Sequence, residues 1–451
     1  MPPTIVPIVD EGLGNSSYLV DLGDGSALAV DPSRDPAPYL AEAERLGLRI
    51  AFAAETHLHA DFISGSRELS AHGATVLGPT LNGREFPHRG LRDGDEVALG
   101  GLTLRALGTP GHTPEHLAYL LLDGSRPIAL FTGGSLLVGA VARTDLISPD
   151  RTEELARALY RSIRDRILPL PDDLPVYPTH GAGSFCSAPA GAERTTTIGR
   201  ERAGNPLLAA PDENAFLALL LAGLGTYPPY FLRLQAINRR GPRLYGEIPT
   251  LPRLTAAAVR QRMAEGAEVV DVRPAAAFAA GHIPGSLSIA LRPAFATWLG
   301  WLSSPDRPIV AVLDADQDRA DLVRQALKVG YENLVGELDG GMIAWRAAGF
   351  EEWRLTVVDP GHLPDALLLD VRQASEYRSG HVPGALSVEL GALAAAGDLE
   401  PGPLAVMCGH GERAMTGASV LERTGRTGLA VVVGGPDDWA AIPGNRLEIS
   451  V

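Results

Sequence analysis

At 451 residues, 45% of them hydrophobic and 21% charged, the chain is too long for one core and too apolar for a disordered protein. Its formal net charge of −15 offers no cationic surface to phosphate backbones or anionic lipid, which excludes nucleic acid and membrane surfaces and leaves small-molecule chemistry. Only two cysteines, Cys186 and Cys408, are present, which excludes a disulfide framework and a multi-cysteine zinc site. The first twenty residues lack a basic segment followed by a long apolar run, and the richest apolar stretch, near Phe216 to Leu224, is short and broken by glycine. A soluble, cytoplasmic protein is therefore expected. In chain order, the short runs TIVPIV, SYLVDL, ALAVD, IAFAAE, ATVLG and LTLRAL, separated by Gly, Asp and Pro turns, predict strands up to about residue 107, with a helix over 36–46. A strand in PIALFTG and a helix over 152–167 precede VYPTHGAGSF; residues 205–238 read as helical, interrupted by Pro228 and Pro229, and the first domain should close near 250.

Beyond that point the chain repeats itself. DVRPAAAFAAGHIPGSLSI from Asp271 aligns without gaps on DVRQASEYRSGHVPGALSV from Asp370, an offset of 99 residues, and GGMIAW from Gly340 matches GGPDDW from Gly434. Three domains are expected, over 1–250, 251–355 and 356–451. In each repeat, apolar runs alternate with helical segments, which predicts a small parallel sheet wrapped by helices.

In the last domain Cys408-Gly409-His410-Gly411-Glu412-Arg413 lies between the strand-like PLAVM and a helix starting near Ala414. Main-chain amides of a glycine-containing loop at a helix N-terminus make an anion nest, which favours a thiolate; Arg413 adds a fixed positive charge. The competing reading is a small apolar residue buried at a strand end. Residues 356–451 resemble a rhodanese domain through Asp-Val-Arg, Gly-His-Val-Pro-Gly-Ala, the cysteine loop and Gly-Gly-x-x-x-Trp. The resemblance implies that Cys408 takes a sulfane sulfur, carries it as a persulfide, and passes it to cyanide, a thiol or sulfite. Related phosphatases have five residues between Cys and Arg; here there are four, which favours sulfur over phosphate. Residues 251–355 resemble the same family, but Asp314 stands at the cysteine position, in Asp314-Ala315-Asp316-Gln317-Asp318-Arg319. This copy is read as catalytically dead, and His282 and His381, shared by both copies, as turn-stabilising.

The first domain carries His57-Leu58-His59-Ala60-Asp61 after IAFAAE, His112 in Gly-Thr-Pro-Gly-His-Thr, and His180 after VYP. In an extended segment His57, His59 and Asp61 project to one side, and three strand-ending loops bearing histidine suit a first-row metal. This domain resembles the metallo-β-lactamase superfamily, and within it the persulfide dioxygenases, given ARTDL at 142–146 and the YPTHGAGSFC run. The fold implied is a metallo-β-lactamase αββα sandwich followed by two rhodanese-like α/β domains. The resemblance implies Fe(II), dioxygen, a thiol persulfide such as that of glutathione or cysteine, sulfite or thiosulfate as product, and a homo-oligomer, dimer or tetramer. This sequence departs from the family at Phe62, where histidine is usual, and at Gly134, where an acidic metal ligand is usual. His57, His59 and His112 could then form a three-histidine site for Zn or Fe(II), with Asp61 or His180 approaching instead; a weak iron site, a zinc site and no metal all stay open. Cys186 either faces the cleft and relays a persulfide or is a buried small residue. Arg143 either binds a carboxylate of the thiol carrier or is an exposed helix-end side chain. Beside coupled persulfide oxidation and sulfurtransfer stand two alternatives: a sulfane-sulfur-binding protein with a degenerate metal domain, and a zinc hydrolase of a thioester or lactone.

Overall fold

A computed structural model describes residues 3–186, 193–396 and 399–450. The chain forms two compact units, Met1–Ile248 with Ala326–Gly330, and Pro249–Gln325 with Tyr331–Val451. No helix among the described residues is long and apolar enough to cross a membrane.

The first unit is built on two six-stranded sheets. One starts as antiparallel strands Ile5–Asp10, Asn15–Asp21 and Ser26–Val30 and continues in parallel through Arg49–Ala54, Thr75–Pro79 and Arg89–Leu91. The other runs as antiparallel hairpins from Glu96–Leu99 through Leu102–Gly108 and Leu117–Asp123 to Arg126–Gly133, then adds Pro175–Pro178 in parallel. Strand side chains alternate between faces, so alternate residues of both sheets (Tyr18, Val20, Leu28 and Val30 from the first; Leu104, Ala106, Tyr119, Leu121 and Phe131 from the second) meet in one buried core. The intervening residues Leu19, Ala27 and Ala29 face outward onto the helices Ala37–Leu46 and Ser66–Ala71. Leu120, Leu122 and Leu130 do the same on the other side, against Thr152–Ser162 and Glu213–Ala222. Leu155, Ala156 and Leu159 line one face of Thr152–Ser162, and each leucine so buried contributes roughly 1.5–3 kcal/mol. The layers are helix, sheet, sheet, helix.

Most expected elements form where the periodicity puts them. Residues 205–238 differ: Asn205 caps its own turn by accepting the Leu207 N–H, helix begins only after the Asp212 cap, and Glu213–Ala222 and Phe231–Arg240 flank the two prolines.

The second unit holds two five-stranded parallel sheets of identical order. The first runs Arg253–Leu254, Leu334–Leu338, Ile309–Val312, Glu268–Asp271, Leu287–Ser288; the second runs Thr356–Val358, Leu429–Val432, Leu404–Met407, Leu367–Asp370, Leu386–Ser387. The repeated Asp-Val-Arg explains part of this identity. Arg273 grips Asp271 and the Gly281 carbonyl, as Arg372 grips Asp370 and the Gly380 carbonyl, tying strand end to the Gly-His turn. His282 and His381 bond the carbonyls of Phe278 and Tyr377 and stack on those rings at 3.8 and 3.7 Å, so both occupy turn-stabilising positions.

Candidate metal centre and cysteine loop

Four strands of the first unit end at one edge and deliver side chains to one place. Arg49–Ala54 leads to His57, His59 and Asp61, Leu102–Gly108 to His112, Arg126–Gly133 to Gly134, and Pro175–Pro178 to His180. The bridge between Asn15 and His180 and the Ser16 N–H to Thr179 carbonyl bond join the two sheets there. The 57–61 segment is bent rather than extended, yet its three side chains still converge. All five ligand candidates are buried, none more than 2% exposed.

The ring partners fix which nitrogen of each imidazole is free. His57 Nδ1 lies 2.8 Å from Thr56 Oγ1, whose hydroxyl proton is committed to Asp31; His112 Nδ1 lies 2.6 Å from the Arg143 carbonyl; His180 Nδ1 lies 3.1 Å from Asn15 Oδ1 and 3.2 Å from Asp61 Oδ2. Each of these oxygens accepts, so each Nδ1 carries the proton and each Nε2 keeps its lone pair. All three Nε2 atoms are buried without a hydrogen-bond partner, and they form one group whose ligating atoms lie within 4.8 Å of one another. Burial and neighbouring imidazoles push His57 well below its ordinary pKa, and burial followed by His180 brings His112 to about 3. Neutral imidazoles with convergent lone pairs are what a divalent metal binds, so the donor set fits one.

His180, expected only as an alternative ligand, groups here with His57 and His112, while His59 groups with Asp31 and His57 and with Asp61 and His180. Asp31 and Glu55 claim the His59 ring, with Nε2 at 3.2 and 3.5 Å from their carboxylates. Burial alone would lower His59, but Asp31, then Glu55 and Asp61, outweigh it and raise the imidazole. Asp31 is itself held near 2, since His59, Thr179 and Thr56 outweigh its burial, and it is the one non-glycine with positive φ among the described residues. His59 Nδ1 and Asp61 Oδ1, both unpartnered, still group with His180.

At Gly134 a Cβ would lie 2.5 Å from His112 Cδ2, so with His112 in this position no side chain fits and no carboxylate enters from that strand. The Gly134 amide instead donates to His116 Nε2 at 3.0 Å, while His116 Nδ1 bonds Thr109 and its ring stacks on His57 at 5.0 Å. His116 went unnoticed in the sequence; its signal was the four-residue spacing from His112 in GHTPEH. Phe62 stacks on His59 at 4.2 Å. Cys186 is buried, its thiol held neutral by burial and then by the Asp61 carboxylate beside it, so it is both a buried small residue and a neighbour of the site. Of the two expectations for Arg143, the exposed helix-end side chain is corrected. It is buried, not exposed, and its fork is already closed on Asp145 at 2.7 and 2.8 Å and on the carbonyls of Phe185 and Gly225, with Tyr227 against its face, so it clamps loops together.

In the second unit, Leu404–Met407 ends at Cys408 and Glu412–Arg423 begins after Gly411, whose φ of 96° and contact with Val433 require glycine. The Gly411 N–H points at Cys408 Sγ, 3.1 Å away; Cys408 is buried, 2% exposed, and His410 in the same loop is exposed. Arg413 binds Glu376 through both terminal nitrogens at 2.6 and 2.8 Å, and it holds that carboxyl below its usual range against the effect of burial. The Asp314 loop is built differently. At the register of Glu376 the first repeat has Ala277, so Arg319 turns inward, to Glu337 and to the carbonyls of Asp314, Ala315 and Gln317. Three carbonyls of this loop thus accept from the guanidinium of its own arginine.

The rhodanese-like domain family model matches residues 255–348 and 358–442. The chain is 34% identical over 184 residues to "Persulfide dioxygenase ETHE1, mitochondrial" of Homo sapiens, which covers 40% of this chain and 68% of that protein. It is 36% identical over 170 residues to a hydroxyacylglutathione hydrolase of Rhodopseudomonas palustris (strain BisB18), covering 37% of this chain and 62% of that one. A solved metallo-β-lactamase from Staphylococcus aureus subsp. aureus COL superposes with a TM-score of 0.66 at 29% identity, covering 75% of this chain and 99% of that one. The chain belongs to the persulfide dioxygenase family of metallo-β-lactamase-fold proteins, with rhodanese-like domains joined behind it.

Proposed function

We propose that this protein is an enzyme of sulfur metabolism that oxidises a low-molecular-weight thiol persulfide, such as that of glutathione or cysteine, in its first unit and carries sulfane sulfur on Cys408 in its second. The observation that carries the first half is the set of three unpartnered Nε2 lone pairs of His57, His112 and His180 in one buried space. A first-row metal held there, Fe(II) in this reading, would supply open coordination positions for the persulfide sulfur and for dioxygen. Thr56, the Arg143 carbonyl and Asn15 keep the three rings aimed; the buried site keeps bulk water from the reacting sulfur; and Asp61, which His180, His59 and Asn15 hold ionised against its burial, adds a negative charge beside the site. Overall, persulfide, dioxygen and water give thiol and sulfite, the outer sulfur being oxidised and dioxygen reduced.

In the second half, Cys408 thiolate attacks a sulfane sulfur, the S–S bond of the donor breaks, and the leaving group is sulfite when thiosulfate is the donor. The Gly411 amide, 3.1 Å from Sγ, stabilises negative charge on that sulfur. The first repeat, with Asp314 in that place, has no thiol to serve.

A second reading, hydrolysis of a glutathione thioester at a zinc ion, is favoured by the all-histidine donor set and by the hydroxyacylglutathione hydrolase relative. Metal analysis with oxygen uptake on glutathione persulfide separates the two: iron with uptake is the expected result, and zinc with thioester cleavage but no uptake contradicts it. For the second half, Cys408→Ser abolishes thiosulfate:cyanide activity while Asp314→Ala leaves it unchanged; activity surviving in the Cys408 variant would defeat the assignment.

A further inference from the structure

The helix Glu412–Arg423, whose first turn closes the cysteine loop, is held along its length by the other repeat of the same unit. Ser419 Oγ accepts the Ser288 N–H at 3.0 Å, Glu422 meets His282 Nε2 at 3.1 Å, and Arg423 pairs with the buried Glu268 at 2.5 Å. A fourth contact falls on the loop itself: Arg292 Nε lies 3.1 Å from Glu412 Oε2, with the two side chains 35% and 43% exposed. Arg292 is not a general feature of the repeat, since Gly391 stands at its register in the second copy.

Charge around Cys408 makes this contact consequential. Two carboxylates border the loop, Glu376 and Glu412. Arg413 is committed to Glu376 through both terminal nitrogens, so it does not neutralise Glu412. A doubly charged donor such as thiosulfate, approaching a sulfur at the base of that loop, would meet Glu412 unscreened if nothing else paired with it.

We propose that Arg292, supplied by the repeat that has no cysteine, is a positioning residue of the sulfur-transfer site: it neutralises Glu412 and so admits an anionic sulfur donor to Cys408. This rests on the reading of Cys408 as the sulfur carrier. In the step concerned, Cys408 thiolate and thiosulfate give Cys408 persulfide and sulfite; cyanide then takes the outer sulfur as thiocyanate and regenerates the thiolate, with no outside oxidant or reductant. The middle repeat is then part of the site and not a spacer.

Thiosulfate:cyanide kinetics on the full-length protein test this. Arg292→Ala should raise KM for thiosulfate on the order of three- to tenfold with kcat within about twofold, because an exposed charge changes encounter more than chemistry. Added salt should lower KM in that variant, since it screens the repulsion from Glu412, and Glu412→Gln on the same background should return KM to within about twofold of the parent. A lesion that acts only through packing would show neither salt relief nor rescue. Normal parent activity with a KM indifferent to Arg292, or a raised KM that Glu412→Gln does not relieve, overturns the proposal alone. Parent protein with no Cys408-dependent transfer overturns the carrier reading, and this proposal with it.

Discussion

Thr56 shows how much of the candidate metal site is decided by residues outside the ligand group. Its hydroxyl donates to Asp31 and its lone pair receives the His57 Nδ1 proton, so the side chain sets both the tautomer and the aim of His57. Thr56→Val keeps the shape and removes both bonds. Metal affinity, measured by competition with a chelator, should fall on the order of 10–100-fold, while the variant remains folded by circular dichroism; unchanged affinity would mean that the ring needs no such partner. The same residues give the metal-free protein a pH dependence. In the unfolded chain each imidazole titrates near 6.5, whereas burial and like-charged neighbours put His57 and His116 well below that and His112 near 3. Between those limits the unfolded chain binds more protons, so stability present above about 6.5 is lost as pH falls toward 3. His59, raised by Asp31 once burial is overcome, works in the opposite sense, one imidazole against three. The urea midpoint of metal-free protein should therefore fall between pH 7.5 and 5. A midpoint that rises across that interval contradicts the assignment of neutral imidazoles.

At the scale of elements, the two loops of the repeats differ by more than the cysteine. In the second copy Glu376 binds the Arg413 guanidinium and the Gly411 amide faces sulfur; in the first, Ala277 offers no carboxylate, and the Arg319 guanidinium bonds the carbonyls of its own loop. Asp314→Cys alone should therefore yield no thiosulfate-dependent persulfide on the new cysteine, read by mass spectrometry in a Cys408→Ser background. Labelling there would show that loop polarity is immaterial. The loss of a carboxylate at Ala277 is plain in the aligned repeats, but its effect on Arg319 depends on where the side chain turns, and a one-dimensional pattern does not carry that. Strand and helix placement was legible because alternation and helical spacing were regular, as in SYLVDL and in the buried stripe of Thr152–Ser162. The π-helical turn that ends that helix, Ile163–Ile167, had no such signature.

For the whole molecule, the sequence carried the order of parts: a histidine-bearing sandwich, then two copies of one parallel sheet. It carried them because each part repeats a local device, a histidine after a strand or an Asp-Val-Arg clamp. It named His180 only as an alternative ligand; the preference for His180 over His59 proposed here rests on the hold of Asp31 and Glu55 on the His59 ring, and Asp31 lies on a different strand end. Nor did it reveal His116, whose ring takes up the Gly134 amide.

That choice of ligand is also where the account is most exposed. Iron bound per chain, measured after anaerobic reconstitution with Fe(II) and removal of excess metal, should drop to a small fraction in His180→Ala and stay close to the parent value in His59→Ala. Loss of iron in the His59 variant with retention in the His180 variant would contradict the three-histidine centre described here.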